Sequence, residues 1–271
     1  MTMEGPPAHG VTPNMAHRYA TRTAVQQAAF VLPYLRPGMR LLDCGCGPGS
    51  ITLGLAEAVA PGQVVGIDHD PSHVDAARAA AKERGTSNAT FELGDVYRLP
   101  FEDGSFDAAY ENSMVIHLTE PVMAAREIQR VLKAGGLLAL RDTDMDGHIV
   151  GNSDPSHART YELFGMWQRH RGSNLNVGKW LRAILREAGF ESVAVSASTE
   201  VLESRDQVVE HGNTFVGLLT GNLGEVAVGQ DWATRDELDQ LADVWRVWRE
   251  HPDSFIVNVM CEAIGWKPDP S

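Results

Sequence analysis

Three glycines at alternate positions, Gly45, Gly47 and Gly49, lie between a short apolar run and a predicted helix. Glycine lets a ligand approach the backbone closely, and the ligand crevice of an open α/β sheet lies at the carboxyl ends of its strands. The spacing is G-x-G-x-G, whereas dinucleotide-binding turns have G-x-G-x-x-G. No Lys or Arg occurs between Leu41 and Arg78 to face a pyrophosphate. The turn therefore predicts a ligand site and disfavours a dinucleotide.

Acidic residues stand at the ends of three successive predicted strands. Asp43 suits an ammonium group, and Asp68 can accept hydrogen bonds from both hydroxyls of a ribose. Asp95 can accept from the exocyclic amine of adenine while Val96 packs on the ring. S-adenosylmethionine has an ammonium, a sulfonium and no phosphate, so these acids favour it as the ligand. Simpler explanations are a helix cap for Asp68 and an ordinary turn for Asp95.

These motifs resemble the class I S-adenosylmethionine-dependent methyltransferases, specifically the ubiquinone/menaquinone-biosynthesis-like (methyltransferase type 11) branch. The resemblance is close over residues 32–141 and looser up to the C-terminal strand. It rests on five stretches, residues 42–49, 66–68, 94–96, 99–107 and 127–136. It implies seven strands, the last two forming an antiparallel hairpin, with S-adenosylmethionine as methyl donor and S-adenosylhomocysteine as product.

The residues and the resemblance together give a predicted cofactor-binding set. His69 stands where the family often has a bulky aliphatic residue over the adenine. Tyr19 belongs to a leading helix that in this family can close over the methionine end. An exposed helix residue is the alternative for Tyr19. The full set is Tyr19, Asp43, Gly45, Cys46, Gly47, Asp68, His69, Asp95, Val96 and Asn112.

Several acids and histidines follow the fourth and fifth predicted strands and are candidate bases for the acceptor: Glu111, His117, Asp142, Asp144 and His148. His117 is the leading candidate because an imidazole with a pKa of about 6.5 suits proton removal near neutrality. Packing between Met114 and Leu118 is the alternative. Oxygen ligands after these strands would allow magnesium. We nevertheless expect no metal, because the family branch generally works without one and the Cys44–Cys46 pair has no further ligands nearby.

The chain alternates short apolar runs with helical patterns, which predicts a doubly wound, mostly parallel α/β sheet with helices on both faces. The predicted strands cover residues 39–43, 63–68, 89–93, 106–111, 135–141, 190–196 and 254–264. The predicted helices cover residues 16–35, 45–60 (turn included), 72–84, 120–132, 161–170, 177–188, 205–219 and 235–249.

The strand–helix alternation stops after residue 142. We expect a tail over residues 1–13 and a single domain over 14–271. The segments at about 144–176 and 199–252 are then insertions that form a helical substrate cap. Phe164, Met166 and Trp167 are candidates for an apolar wall of that cap. Trp245 and Trp248 lie on one helical face, which favours a core seam over a stacking platform for substrate.

Composition restricts the partners. The net charge of −13 disfavours binding to nucleic acid or to an anionic membrane. No apolar run approaches the roughly 18 residues of a membrane helix, and no secretory signal is visible, so we expect a cytoplasmic protein. We expect it to be a monomer or a homodimer.

The sequence favours methyl transfer to a small or medium-sized organic acceptor, at oxygen or carbon rather than nitrogen by family analogy. Two alternatives remain. The fold could serve as a cofactor-binding protein, lyase or cyclase without methyl transfer. An NAD(P)-dependent oxidoreductase is less favoured because its third glycine is absent.

Overall fold

The structure is a computed structural model that describes residues 21–269. The predicted tail and Tyr19 lie outside the described residues. The chain divides into two compact units. The first unit contains residues up to Thr143, Val177–Ala197 and the chain from Cys261 onward. The second unit contains Asp144–Asn176 and Ser198–Met260.

Residues 21–269 form eight strands and nine α-helices. The strands are β1 (Leu41–Cys44), β2 (Val64–Asp68), β3 (Ala89–Leu93), β4 (Phe106–Asn112), β5 (Leu132–Thr143), β6 (Ile149–Val150), β7 (Glu191–Leu202) and β8 (Ile256–Trp266). The helices are α1 (Ala24–Gln27), α2 (Ser50–Val59), α3 (Pro71–Arg84), α4 (Pro121–Val131), α5 (Pro155–His170), α6 (Leu181–Glu187), α7 (Arg205–Thr220), α8 (Asn222–Gly229) and α9 (Arg235–Trp248).

The sheet of the first unit has the order β3-β2-β1-β4-β5-β8, and β7 pairs with β8. The strands from β3 to β5 are parallel, and the C-terminal hairpin is antiparallel. All residues of β1 and β2 are buried, as expected for strands covered on both faces. The predicted Rossmann-like sheet is confirmed, and β6 is an additional strand of two residues.

Strand β1 lies between β2 and β4, so the strand order reverses beside it. The chain runs from β1 outward to β2 and β3 and then returns to β4 on the other side of β1, and this change of direction opens a crevice at the carboxyl ends of these strands. The glycine turn follows β1 directly, and Cys44 at its end pairs in register with Ile67 of β2 and Glu111 of β4. The topology thus places the predicted ligand residues at one edge of the sheet.

The predicted helix over residues 16–35 is wrong in its described part. Thr23 caps a new start, its Oγ1 accepting from the amide of Gln26 at 3.3 Å, and α1 ends after one turn. A separate 3₁₀ helix covers Leu32–Tyr34. Pro33 in that segment has no amide hydrogen and cannot continue an α-helix. The sequence pattern also did not predict α8. This helix follows Gly221 and ends at Gly229, and glycines at both ends are typical of a loop.

The second unit consists of α5, α7, α8 and α9 around one hydrophobic core, with β6 pairing antiparallel to the start of β8. Trp245 is fully buried and stacks on Phe215 with ring centroids 4.5 Å apart. Its indole nitrogen donates to Thr160 Oγ1 at 3.1 Å, and the indole of Trp248 donates to the Gly151 carbonyl at 2.8 Å. The predicted core seam is confirmed. No described helix is both long and apolar enough to cross a bilayer.

Replacing Trp245 by alanine should destabilise the protein by about 3–5 kcal/mol, because the change leaves a large cavity and removes a buried hydrogen bond. Val247, on the opposite side of the same helix, is 72% exposed. Val247→Ala should therefore change stability by less than about 0.5 kcal/mol. Urea unfolding of both variants measures the difference, and equal losses would contradict a core position for Trp245.

Candidate cofactor and active site

Two of the three glycines in the turn after β1 are glycine for different structural reasons. Gly49 has φ +81°, and a Cβ built on it would lie 2.8 Å from that of Ala77 and 3.0 Å from Phe91. Only glycine therefore allows α2 to begin this close to α3 and β3. Gly47 has φ +53°, and a Cβ there would meet no atom of residues 21–269 within 4 Å. The backbone at Gly47 thus faces open space, as a ligand cradle requires.

Asp68 at the end of β2 holds this turn. Its carboxylate accepts from the amide of Gly47 at 2.9 Å and from the amide of Asp70 at 2.9 Å. Burial raises the pKa of Asp68, but hydrogen bonds from His73 and these two amides outweigh it and lower the pKa below its usual value. Asp68 is therefore ionised at neutral pH. A carboxylate has about four acceptor positions, and His73 and the two amides use three of them, so about one position remains for a ligand.

His73 in the first turn of α3 is a site residue that the sequence reasoning missed. Its Nδ1 lies 3.4 Å from the Asp68 carboxylate, and a hydrogen bond to Asp68 raises its pKa. The sequence signal that could have identified His73 is a histidine in the first turn of the helix that follows a strand-ending acid. His69, which was predicted, also has its Nδ1 3.5 Å from the same carboxylate, but its side chain is 79% exposed.

Asp43 at the end of β1 is buried, and its carboxylate accepts from the hydroxyl of Thr52 at 2.6 Å. Burial raises the pKa of Asp43 to about 7. The hydrogen bond from Thr52 lowers this pKa, and the nearby charge of Asp68 raises it further. A desolvated carboxylate of this kind gains from a cationic partner. The position therefore fits the ammonium group of the predicted ligand.

The remaining predicted residues lie at the ends of β3 and β4. Val96 is buried. Asp95 is exposed, and its carboxylate accepts from the amide of Tyr97 at 2.9 Å. This bond belongs to an ordinary turn, which is the simpler explanation for Asp95. Asn112 is 8% exposed. Its Oδ1 accepts from Arg141 at 3.0 Å, whereas its Nδ2 has no hydrogen-bond partner in the described part of the chain. Leaving a buried donor unsatisfied costs about 1–3 kcal/mol, which a ligand acceptor would relieve.

Two fully buried carboxylates fasten the loop after β4. Glu111 accepts from the amides of Met114 and Val115, and Asp142 accepts from the amide of Ile116 at 2.9 Å. Burial raises both pKa values, that of Asp142 to about 7. The side chains were candidate bases, but their burial and backbone bonds give them a structural role in this loop. Arg141 and Arg22 are the cations whose charges lower the pKa of Asp142.

His117 ends the same loop, in a 3₁₀ turn over Val115–His117. It is half-buried, and its amide donates to the Met114 carbonyl at 2.9 Å. The loop that the two carboxylates fasten therefore also carries the leading candidate base. The other candidates, Asp144 and His148, belong to the second unit. Within residues 21–269, no three His, Cys, Asp or Glu side chains are grouped so that they could hold a metal ion.

Replacing Asp142 by asparagine should change how stability depends on pH. The folded-state pKa of about 7 exceeds the unfolded value, so the wild-type contribution is present at low pH and is lost as pH rises through about 7. Asparagine cannot ionise, so the variant lacks this loss. Its free energy of unfolding relative to that of wild type should therefore increase by about 2 kcal/mol from pH 5 to pH 8. Asp107→Asn is the control, because the pKa of Asp107 is lowered and its charge is constant over this range. Urea unfolding at four pH values measures the trend, and parallel curves for wild type and Asp142→Asn would contradict it.

Comparison with known proteins agrees with this geometry. A family model described as a methyltransferase domain matches residues 35–189, more than half of the chain. An uncharacterized methyltransferase of Schizosaccharomyces pombe is 29% identical over 251 residues, covering 90% of each chain. The O-methyltransferase resE of Aspergillus sclerotiorum is 29% identical over 206 residues, covering 74% of this chain and 73% of that protein.

Among solved structures, the YcgJ protein of Bacillus subtilis superposes with a TM-score of 0.59 at 19% identity, covering 94% of this chain and 100% of that one, so the fold is shared. The family match, the Rossmann-like sheet and the intact glycine–aspartate turn lead to one conclusion. The chain belongs to the class I S-adenosylmethionine-dependent methyltransferases, and its enzymatic activity is methyl transfer from that cofactor.

Proposed function

We propose that the protein methylates an oxygen or carbon atom of a small or medium-sized organic acceptor. The observation that carries this proposal is the open backbone at Gly47 beside the ionised Asp68. These groups suit a neutral ribose and a cationic ligand, and no Lys or Arg in or near the turn in sequence is available to pair with a phosphate. The similarity to an O-methyltransferase supports oxygen as the acceptor atom.

The described residues fit the cofactor by the chemistry of their donors and acceptors. Asp68 would accept from a ribose hydroxyl, and Asp43 would face the ammonium group. The unpartnered Nδ2 of Asn112 would donate to a ligand oxygen. The backbone of Gly45, Cys46 and Gly47 would line the cradle, and the adenine would be bound by His69, Asp95 and Val96.

When bound, S-adenosylmethionine supplies an electrophilic methyl carbon. The chain must align the acceptor with it, exclude water, and remove the acceptor proton where an oxygen is methylated. We assign proton removal to His117, because the loop held by Glu111 and Asp142 fixes its backbone. The proposal needs no metal.

We further propose that the second unit acts as the substrate cap. Its two segments lie outside the strand–helix alternation and have a core of their own. Phe164 and Met166 are only partly buried against that core. Apolar side chains of this kind suit the wall of an acceptor site.

Replacing Asp68 by alanine should weaken S-adenosylhomocysteine binding by about 1.5–3 kcal/mol, the size of a charge-assisted hydrogen bond. Asp75→Ala is the matched control, because Asp75 is 78% exposed on α3. Isothermal titration calorimetry measures both affinities. Unchanged affinity in a folded Asp68→Ala variant would remove Asp68 from the cofactor site.

His117→Gln should keep the affinity for S-adenosylhomocysteine and lower turnover by about 10²-fold or more, since glutamine cannot accept the proton. Turnover is measured as release of S-adenosylhomocysteine with a panel of phenolic and enolic acceptors. The panel also tests the proposed function, because no methylated product with any of them would contradict it. Full activity of His117→Gln would instead assign His117 the packing role.

A further inference from the structure

Tyr161 of the second unit lies between two imidazoles. Nε2 of His148 is 2.6 Å from the phenolic oxygen, and Nε2 of His211 is 3.0 Å from it. The three residues belong to the segment before β6, to α5 and to α7, so the fold brings them together from distant parts of the sequence. A phenol has one hydrogen, so it donates to one imidazole and accepts from the other.

His148 and Tyr161 are uncharged at neutral pH. Burial lowers the pKa of His148 to about 4, opposed by a hydrogen bond with the Asn258 side chain. Burial alone raises the pKa of Tyr161. No charged group is among the causes of either shift. Both side chains are therefore neutral, and they can exchange donor and acceptor roles by a change of imidazole tautomer.

The surroundings of Tyr161 are aromatic. Its ring meets Phe215 edge-on at 4.9 Å and Trp245 at 6.0 Å, and the ring of His211 lies 6.2 Å from that of Trp248. His148, Tyr161 and His211 are nevertheless only partly buried. A core that served stability alone would gain by replacing such polar groups with apolar ones. A few convergent polar groups within an aromatic lining are instead typical of small-molecule sites.

We propose that Tyr161 and its two flanking imidazoles bind the hydroxyl group of an uncharged, planar aromatic molecule such as a phenol or a naphthol. The hydrogen-bonded pair His148–Tyr161 can both donate to and accept from a hydroxyl, and neither side chain offers a charge to a carboxylate or an ammonium group. Phe164, one turn along α5 from Tyr161, is only partly buried, and its ring suits the flat body of the ligand. We identify this ligand as the methyl acceptor. Only that identification rests on the proposed function.

The test uses 1-naphthol as the ligand, measured by calorimetry with the full chain. Wild type should bind 1-naphthol at least about tenfold more tightly than naphthalene or 1-naphthoate, and Tyr161→Phe should lose about tenfold in 1-naphthol affinity, as expected for one hydrogen bond. Tyr34→Phe, at a position 41% exposed in the first unit, should change nothing. His148→Gln provides a second variant should Tyr161→Phe unfold, and it should weaken binding in the same direction.

Equal binding of naphthalene and 1-naphthol, no binding of 1-naphthol by wild type, or full affinity in both variants would overturn the proposal. S-adenosylhomocysteine affinity and the acceptor panel separate this result from the proposed function. Tyr161-dependent binding of 1-naphthol without methylation of any acceptor would uphold the site and contradict the function. Methylation of other acceptors without 1-naphthol binding would do the reverse.

Discussion

The hydrogen bond from the Gly47 amide to the Asp68 carboxylate is the interaction on which the candidate cofactor site depends. It ties the turn after β1 to the end of β2, and the same carboxylate also accepts from the amide of Asp70, which caps α3. One buried acid therefore sets the relative positions of a strand end, a turn and a helix start. Gly47 can present its amide there because it has a positive φ, and the tight contact at Gly49 holds the rest of the turn.

The acids at this edge of the sheet divide into two roles through their surroundings. Asp68 has enough donors to stay ionised, whereas burial raises the pKa of Asp43 to about 7. Glu111 and Asp142 are enclosed by amides of the loop after β4, so their lone pairs serve the backbone. Carboxylates that are alike in sequence thus differ in function, because hydrogen bonding and desolvation act on each of them separately.

The sequence predicted the local features well, because the glycine turn, the strand-ending acids and the alternation of strands with helices depend on neighbouring residues. Features that depend on packing were not visible. His73 reaches Asp68 only once α3 folds back on β2, and nothing in the residue type showed that Glu111 would be completely buried. Helix α8 was missed because its glycines resemble a loop, although tertiary packing of Leu223 stabilises it.

The two units also differ in how their polar groups are stabilised. In the first unit, the charge of the ionised Asp68 is balanced by fixed backbone amides, an arrangement suited to one invariant ligand. In the second unit, Tyr161 and His148 are neutral and bond to each other, so a ligand can replace this bond without exposing a buried charge. A neutral network tolerates changes of partner at a lower free-energy cost than a buried ion does. Charged, backbone-held groups therefore suit binding of a constant cofactor, and neutral aromatic groups suit selection of an acceptor.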